Sequence, residues 1–276
     1  MGAHLDGSGS MTMMRPVALT IAGSDSSGGA GIAADLKTFE AFGAWGAAAV
    51  TAVTAQNTRG VEAALVLPPA LVRAQIDAVT GDLTVDAAKT GMLGSAQVVR
   101  AVADGVRTAG IVRLVVDPVL VSKHGDRLLD ADALWPLRSE LLPLATVITP
   151  NLAEAGALSG IEVHDRDGMI AAAKELRRLG PTVIVVTGGH LPDQEQSPDL
   201  IWSEDGPQWL EGRRIAAVHT HGTGCVFSAV ISAELARGRE PIEACRTAKR
   251  FVTGAIEASL GLGRGVGPVD PGWSRR

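Results

Sequence analysis

VALTIAGSDSSGGAGIAADLKTFEAFG, residues 17–43, passes from an apolar run of strand length through a glycine-rich turn into an amphipathic run that stops on Gly43. VALTIAG (17–23) reads as a buried strand and GIAADLKTFEAFG (31–43) as a helix with a glycine stop, which makes a βα unit. The alternation recurs downstream. AAAVTAVTAQN (47–57) reads as a second strand and 68–80 as a helix opened by proline, followed by a strand over 85–91 and a helix over 95–110. LVVDPVL (114–120), a helix around 130–142, TVITPN (146–151), helical runs over 154–160 and 167–180, and TVIVVTGGH (182–190) continue it. Alternation this regular predicts an α/β fold with a mainly parallel sheet covered by helices on both faces. DLIWSEDGPQWLEG (199–212) breaks the rhythm. Asp205-Gly206 between two short apolar runs predicts a small β-hairpin at a sheet edge.

The chain has 276 residues, 46% of them hydrophobic, enough for one large domain, expected over 15–270. Residues 1–14 read as a disordered leader and 271–276 as a tail. A net charge of -5, with 3% aromatic residues and no tyrosine, gives neither a basic field nor stacking platforms, so nucleic acid is not an expected partner. No apolar run approaches the roughly 20 residues that span a bilayer, and the first residues lack a secretory pattern. A cytoplasmic protein is expected. Cys225 and Cys245 both fall in helical patterns, so no disulfide framework is indicated.

In an open α/β sheet, ligands gather beyond the carboxyl ends of the strands. The residues at those ends are Gly23-Ser24-Asp25, Gln56-Asn57, Lys89 to Met92, Asp117-Pro118, Asn151 and Gly188-Gly189-His190, a polar and glycine-rich set. THGTGC (220–225) precedes another helical run. Gly222, Thr223 and Gly224 there allow close backbone approach, and a helix opening at that point offers free amides and positive dipole to an anion. An ordinary turn with Thr223 as N-cap fits the same spacing. Cys225 at a helix start is expected to have a lowered pKa and to serve as base or nucleophile. Cys245 reads as a small buried hydrophobe. SDSSGGAG (24–31) has neither the dinucleotide-fold nor the P-loop spacing.

Asp35 falls on the same helix side as Ile32, Phe39 and Phe42, so it needs a partner, a ligand or a route to solvent. Gln56 offers the donor and acceptor that reading a heteroaromatic edge requires. Met92 could wall a ring or pack in the core. Asp117 and the pair Asn151 and Glu154 suit hydrated Mg²⁺, although Asn151 with Glu154 equally fits a capping box.

LTIAGSDSSGGAGIAADLKTF, AQNTRGV, KTGML, VVDPV, ITPNLAEA, GGH, QSPD, HGTGC and GVGPV, in that order, resemble the hydroxymethylpyrimidine/phosphomethylpyrimidine kinases of thiamine biosynthesis, over about 17–269. The resemblance implies a ribokinase-like three-layer α/β/α sandwich, assembled as a homodimer. It implies use of MgATP to phosphorylate 4-amino-5-hydroxymethyl-2-methylpyrimidine and then its monophosphate. Carried onto matching positions, it implies that Asp35 and Gln56 bond the aminopyrimidine, with Gly23, Met92 and Val119 framing it. Cys225 becomes the base, Gly222 to Gly224 the anion hole, and Asp117, Asn151 and Glu154 the metal and phosphate region. Thr187 stands on the ATP side where the family commonly has lysine, Leu120 where it often has methionine, and Arg264 where it often has histidine. Lys123, in the polar loop VSKHGD (121–126), is expected on a lid over the phosphates. A pyridoxal or pyridoxine kinase of the same fold is the nearest alternative, ahead of a non-catalytic pyrimidine sensor and a sugar kinase.

Overall fold

A computed structural model describes residues 15–122, 125, 128–192 and 195–275, together with a short backbone pairing of His4–Leu5 with Met11–Thr12. Apart from that pairing, the leader expected over 1–14 lies outside the described residues, as does Lys123.

The opening stretch forms β1 (Val17–Ala22) and α1 (Gly31–Ala41) as the periodicity predicts. The main sheet continues with β2 (Trp45–Val50), β5 (Ala87–Thr90), β6 (Leu114–Val116), β7 (Val147–Ile148), β8 (Val183–Val186) and the pair β9 (Asp199–Ser203) and β10 (Gly206–Leu210). Their spatial order is β2-β1-β5-β6-β7-β8-β9-β10, with β2 to β8 parallel and β9–β10 an antiparallel hairpin at the edge. Strand alternation sends side chains to two cores: Leu19 and Ile21 of β1 join one, Ala18 the other, and β8 divides Ile184 and Val186 from Val183 and Val185 likewise. Helices α2 (Pro69–Thr80), α3 (Ala96–Thr108), α4 (Leu152–Ser159) and α5 (Arg166–Arg177) cover the first face. The second is covered by α1, α6 (Thr223–Ala236) and α7 (Pro241–Glu257). This is the three-layer α/β/α sandwich. The chain leaves β1 toward β2 on one side and returns at β5 on the other, which makes the gap beyond β1 and β5 a topological switch point.

Two elements differ from expectation. The single strand read over 47–57 divides at Thr51, whose backbone bonds to Ala22 and Leu67. Beyond it the chain leaves the sheet as β3 (Ala52–Asn57), which pairs antiparallel with an unforeseen β4 (Gly60–Val66) to form a flap. The run of alanine, valine and threonine carries no side-chain signal for that break. The helix expected around 130–142 is instead a chain of short turns over 131–144, including a π segment at Leu137–Leu141. Pro136 and Pro143 have no N–H to give to a regular helical ladder.

Candidate active site

A cavity of about 1220 Å³ opens over the carboxyl ends of the parallel strands and takes in residues from every strand end singled out in the sequence. Gly222, Thr223, Gly224 and Cys225 line it from the start of α6; Gly23, Gln56, Met92 and Val119 line the β1–β5 side. Asp117, Asn151, Glu154 and Thr187 line the stretch between them and the β8 end. Asp35 does not line it.

The two glycine-rich turns meet at its edge. The N-cap of α6 is Gly222 at φ +81°, not Thr223, whose hydroxyl donates to the Thr220 carbonyl instead. A Cβ at Gly222 would lie 1.9 Å from the Gly29 carbonyl oxygen, so this glycine serves contact between the two turns; a Cβ at Gly224 would meet nothing within 4 Å. Gly224 therefore faces open cavity. Its amide and that of Cys225 have no protein acceptor among the described residues, as expected for the first turn of a helix and as an anion site requires. Across the join, Asp25 and His221 meet at 2.7 Å, and the Gly31 amide donates to Cys225 Sγ at 3.4 Å.

Beneath the cavity lies a charge cluster that gives Asp35 its partner and reverses the pKa expected of Cys225. Lys89, on β5, is fully buried, with Nζ 3.0 Å from both oxygens of Asp35 and 3.9 Å from Asp117 Oδ2. Thr20 donates to Asp35 Oδ2 at 2.7 Å. Asp35 is thus the fully buried counter-ion of Lys89. Burial alone would lower the Lys89 ammonium's pKa, but Asp35, Cys225 and Asp117 together raise it. Burial keeps Asp35 and Asp117 above the usual carboxylate range despite that cation, because one ammonium serves both and a thiol besides.

Nor is the Cys225 thiol lowered. Burial pushes it up to about 12, and Asp35 and Asp117 add to the rise against the pull of Lys89 and the Gly31 amide. A helix N-terminus contributes about 0.3–1 kcal/mol, under one pH unit, and loses to those terms. Cys225 rests as a thiol. Cys245 is a fully buried free thiol, as its pattern predicted.

On the β1–β5 side, a Cβ on Gly23 would sit 3.0 Å from Met92 Sδ, so a side chain there would push against the methionine that lines the cavity. Gln56 receives the Thr54 hydroxyl on Oε1 at 3.3 Å, while its Nε2 has no protein partner among the described residues. Toward β6 and β7, Ser228 donates to Asp117 Oδ2 at 3.0 Å, leaving Oδ1 without a protein partner among them. Asn151 and Glu154 form the capping box of α4, each side chain bonding the other's backbone amide. Glu154 faces the cavity as well, and burial followed by the Asp117 charge raises its carboxyl to about 8. Thr187 is held beside Asn151 by a bridge from its amide to the Pro150 carbonyl. Beyond Thr187 on the same cavity wall, Lys249 of α7 pairs with Asp199 at 2.9 Å.

Residues 25–270 match the model of the family described as Phosphomethylpyrimidine kinase. The chain belongs to the phosphomethylpyrimidine kinase family. It is 48% identical over 259 residues to the hydroxymethylpyrimidine/phosphomethylpyrimidine kinase of Streptomyces coelicolor, covering 94% of this chain and 95% of that one. An ADP complex of Bacillus subtilis pyridoxal kinase superposes with TM-score 0.87 at 40% identity, over 95% of this chain and 99% of the other. Phosphomethylpyrimidine kinase from Clostridium difficile 630 gives TM-score 0.77 at 39% identity, over 88% and 100%. Against that family background, the contacts of three residues were not foreseen: the buried pairing of Lys89, and that of Asp25 with His221. Lys89 had one available signal, a lysine inside the otherwise apolar strand VDAAKTG, since a buried lysine demands an acidic partner. Nothing local marks the contact between Asp25 and His221, which lie 196 positions apart.

Proposed function

We propose that this protein transfers the γ-phosphoryl group of ATP to the hydroxymethyl oxygen of 4-amino-5-hydroxymethyl-2-methylpyrimidine, and then a second phosphoryl group to the monophosphate, in thiamine biosynthesis. The observation that carries the reading is the pair of free amides at Gly224 and Cys225, opening onto the cavity that Gln56, Met92 and Gly23 also line. The family match and the names of the relatives support the substrate class.

In this reading the Gln56 amide bonds the ring edge while Met92 and Val119 flank the ring, which leaves the hydroxymethyl group toward Cys225. Phosphoryl transfer passes through a loose transition state, so the chain's work is to align the acceptor oxygen and to place donors where charge collects. The Gly222–Cys225 turn supplies those donors. Cys225 orients the acceptor hydroxyl as a thiol, and the hydroxyl proton leaves late, passing to an oxygen of the transferred phosphoryl group, so no resting thiolate is required.

Mg²⁺ fits the donors present. Two buried carboxylates, Asp117 with an oxygen unpartnered among the described residues and Glu154 raised to about 8, line the same cavity as Thr149, whose Oγ1 is buried without a partner among those residues. Mg²⁺ keeps several waters, so two carboxylates suffice as its protein ligands. When bound, it would neutralise phosphate charge. Asp117 and Glu154 would hold it through water, with Asn151 and Thr187 beside the phosphates. Thr187 carries no charge; Lys249, tied to Asp199, and Arg214, bonded to the Gly189 carbonyl, are cations on that cavity wall.

A homodimer fits the flap, where Val53 and Leu65 form an exposed apolar cross-strand pair. Among the described residues no helix is long and apolar enough to cross a membrane; we place the activity in the cytoplasm, where ATP is at hand.

The likeness to pyridoxal kinase favours a second reading, phosphorylation of pyridoxal or pyridoxine. One assay separates them: purified protein with MgATP and either the aminopyrimidine or pyridoxal, following mono- and diphosphate products. ATP-dependent formation of both pyrimidine products is expected, with kcat/KM well above that on pyridoxal. A preference for pyridoxal would overturn the reading.

A further inference from the structure

The geometry points to His221 and Asp25 as positioning residues that lock the phosphate-binding turn onto the substrate-side turn, so that donor amides and acceptor oxygen are held in one rigid frame. The inference rests on the reading of residues 222–225 as the phosphate site. His221 Nε2 and Asp25 Oδ2 are 2.7 Å apart, with side chains only 7% and 2% exposed. A polar pair buried this far costs desolvation that surface turns avoid. What it holds is specific. Asp25 accepts the Ser27 amide on Oδ1 and the Ala30 amide on Oδ2, both at 2.8 Å, which closes the 25–30 turn around the carboxylate. His221 is fixed from the other side, its amide donating to the Gly267 carbonyl and its carbonyl accepting from the Val269 amide.

Two further contacts run across the same join. Gly222 touches the Gly29 carbonyl so closely that no side chain fits, and a Cβ on Gly29 would come within 2.6 Å of His221 Cδ2. The Gly31 amide reaches Cys225 Sγ. Asp25 therefore shapes the turn that carries Gly29 and Gly31, and those residues abut Gly222 and Cys225. Letting go of the pair frees the α6 amides to move relative to the ring bound near Gly23. A misplacement of about 1 Å at a reacting centre costs on the order of 10²-fold in rate.

The test is steady-state kinetics of the full chain with MgATP and the hydroxymethylpyrimidine, alongside thermal melts. His221→Phe and Asp25→Asn are each expected to lower kcat about 10²-fold while KM for the pyrimidine stays within about twofold. His221→Gln, which keeps a donor near Nε2, is expected to recover at least tenfold over His221→Phe. The double variant is expected to be no worse than the poorer single. If His221→Phe does not fold, Gly29→Ala, which keeps both partners and crowds the imidazole and Pro268, is expected to show the same split between kcat and KM. Unchanged kcat in the folded variants, or losses that multiply in the double variant, would overturn the positioning role. Gly224→Ala tests the underlying reading separately: full activity there would overturn the phosphate site itself, whereas an inactive Gly224→Ala beside a fully active His221→Phe would overturn the lock alone.

Discussion

Lys89 and Asp35 are both fully buried with their charged atoms 3.0 Å apart, and breaking such a pair strands the survivor. In Lys89→Met the Asp35 carboxylate keeps only the Thr20 hydroxyl, and Asp117 loses the cation 3.9 Å away. Removing one partner of a buried ion pair costs about 3–5 kcal/mol. At about 2–4 °C per kcal/mol for a domain of this size, the melting temperature should fall by roughly 6–20 °C. Lys89→Met combined with Asp35→Leu removes both charges and fills the space with apolar groups, so more than half of that loss should return. Calorimetry of ligand-free protein at pH 7.5 reads both numbers. KM for the pyrimidine separates the two accounts of Asp35. As a counter-ion, Asp35→Leu lowers stability and leaves KM in the folded double variant near wild type; as a substrate ligand, it raises KM sharply with little help from the second change. A Lys89→Met protein that melts within 1 °C of wild type would refute the pair's importance, and so would a double variant as unstable as the sum of its singles.

Cys225→Ala should lose about 10²-fold or more in kcat yet bind the pyrimidine normally by titration calorimetry, because Gln56 and Met92 are untouched; full turnover would remove Cys225 from the chemistry. Gly224→Ala gains helix propensity and finds open space, so its melting temperature should hold or rise while turnover falls as the methyl enters the anion site. Glu154, raised to about 8 by burial and Asp117, holds in the folded protein a proton that the unfolded chain releases above about pH 4.5. Metal-free stability should therefore decline as pH rises from about 4.5 toward 8, and Glu154→Gln, which preserves the capping box, should flatten that decline; parallel profiles for the two proteins would contradict the assignment. Leu65→Glu should shift the protein toward monomer in sedimentation experiments, and an unchanged sedimentation coefficient would exclude the flap as the subunit contact.

What could be read in advance was what one segment decides alone. The β1–turn–α1 unit, the hairpin at Asp205-Gly206 and the gathering of strand ends around one cavity follow from period, turn chemistry and parallel topology. Properties that depend on distant neighbours were not available. Asp35 on an apolar helix face announced that it needed a partner, but the partner is 54 positions away on another strand. Cys225 at a helix start carried a local reason for a low pKa, and burial with two carboxylates from other elements reversed it. The flap was missed because leaving a sheet is a matter of which neighbours are absent.

The glycines make the same point in finer detail. Gly222 and Gly224 look equivalent in THGTGC, yet one is required by φ and by the Gly29 carbonyl, while the other leaves room for a ligand. This also accounts for SDSSGGAG having neither the dinucleotide-fold nor the P-loop spacing. Loops of that kind wrap an anion with their own amides. Here the amides of Ser27 and Ala30 are spent on Asp25 and that of Gly31 on Cys225, and the donors proposed for the anion come from the other turn, at the start of α6. The first turn works as the anvil against which the second is set. A phosphate site made this way needs two segments nearly 200 residues apart, and no pattern within either one could specify it.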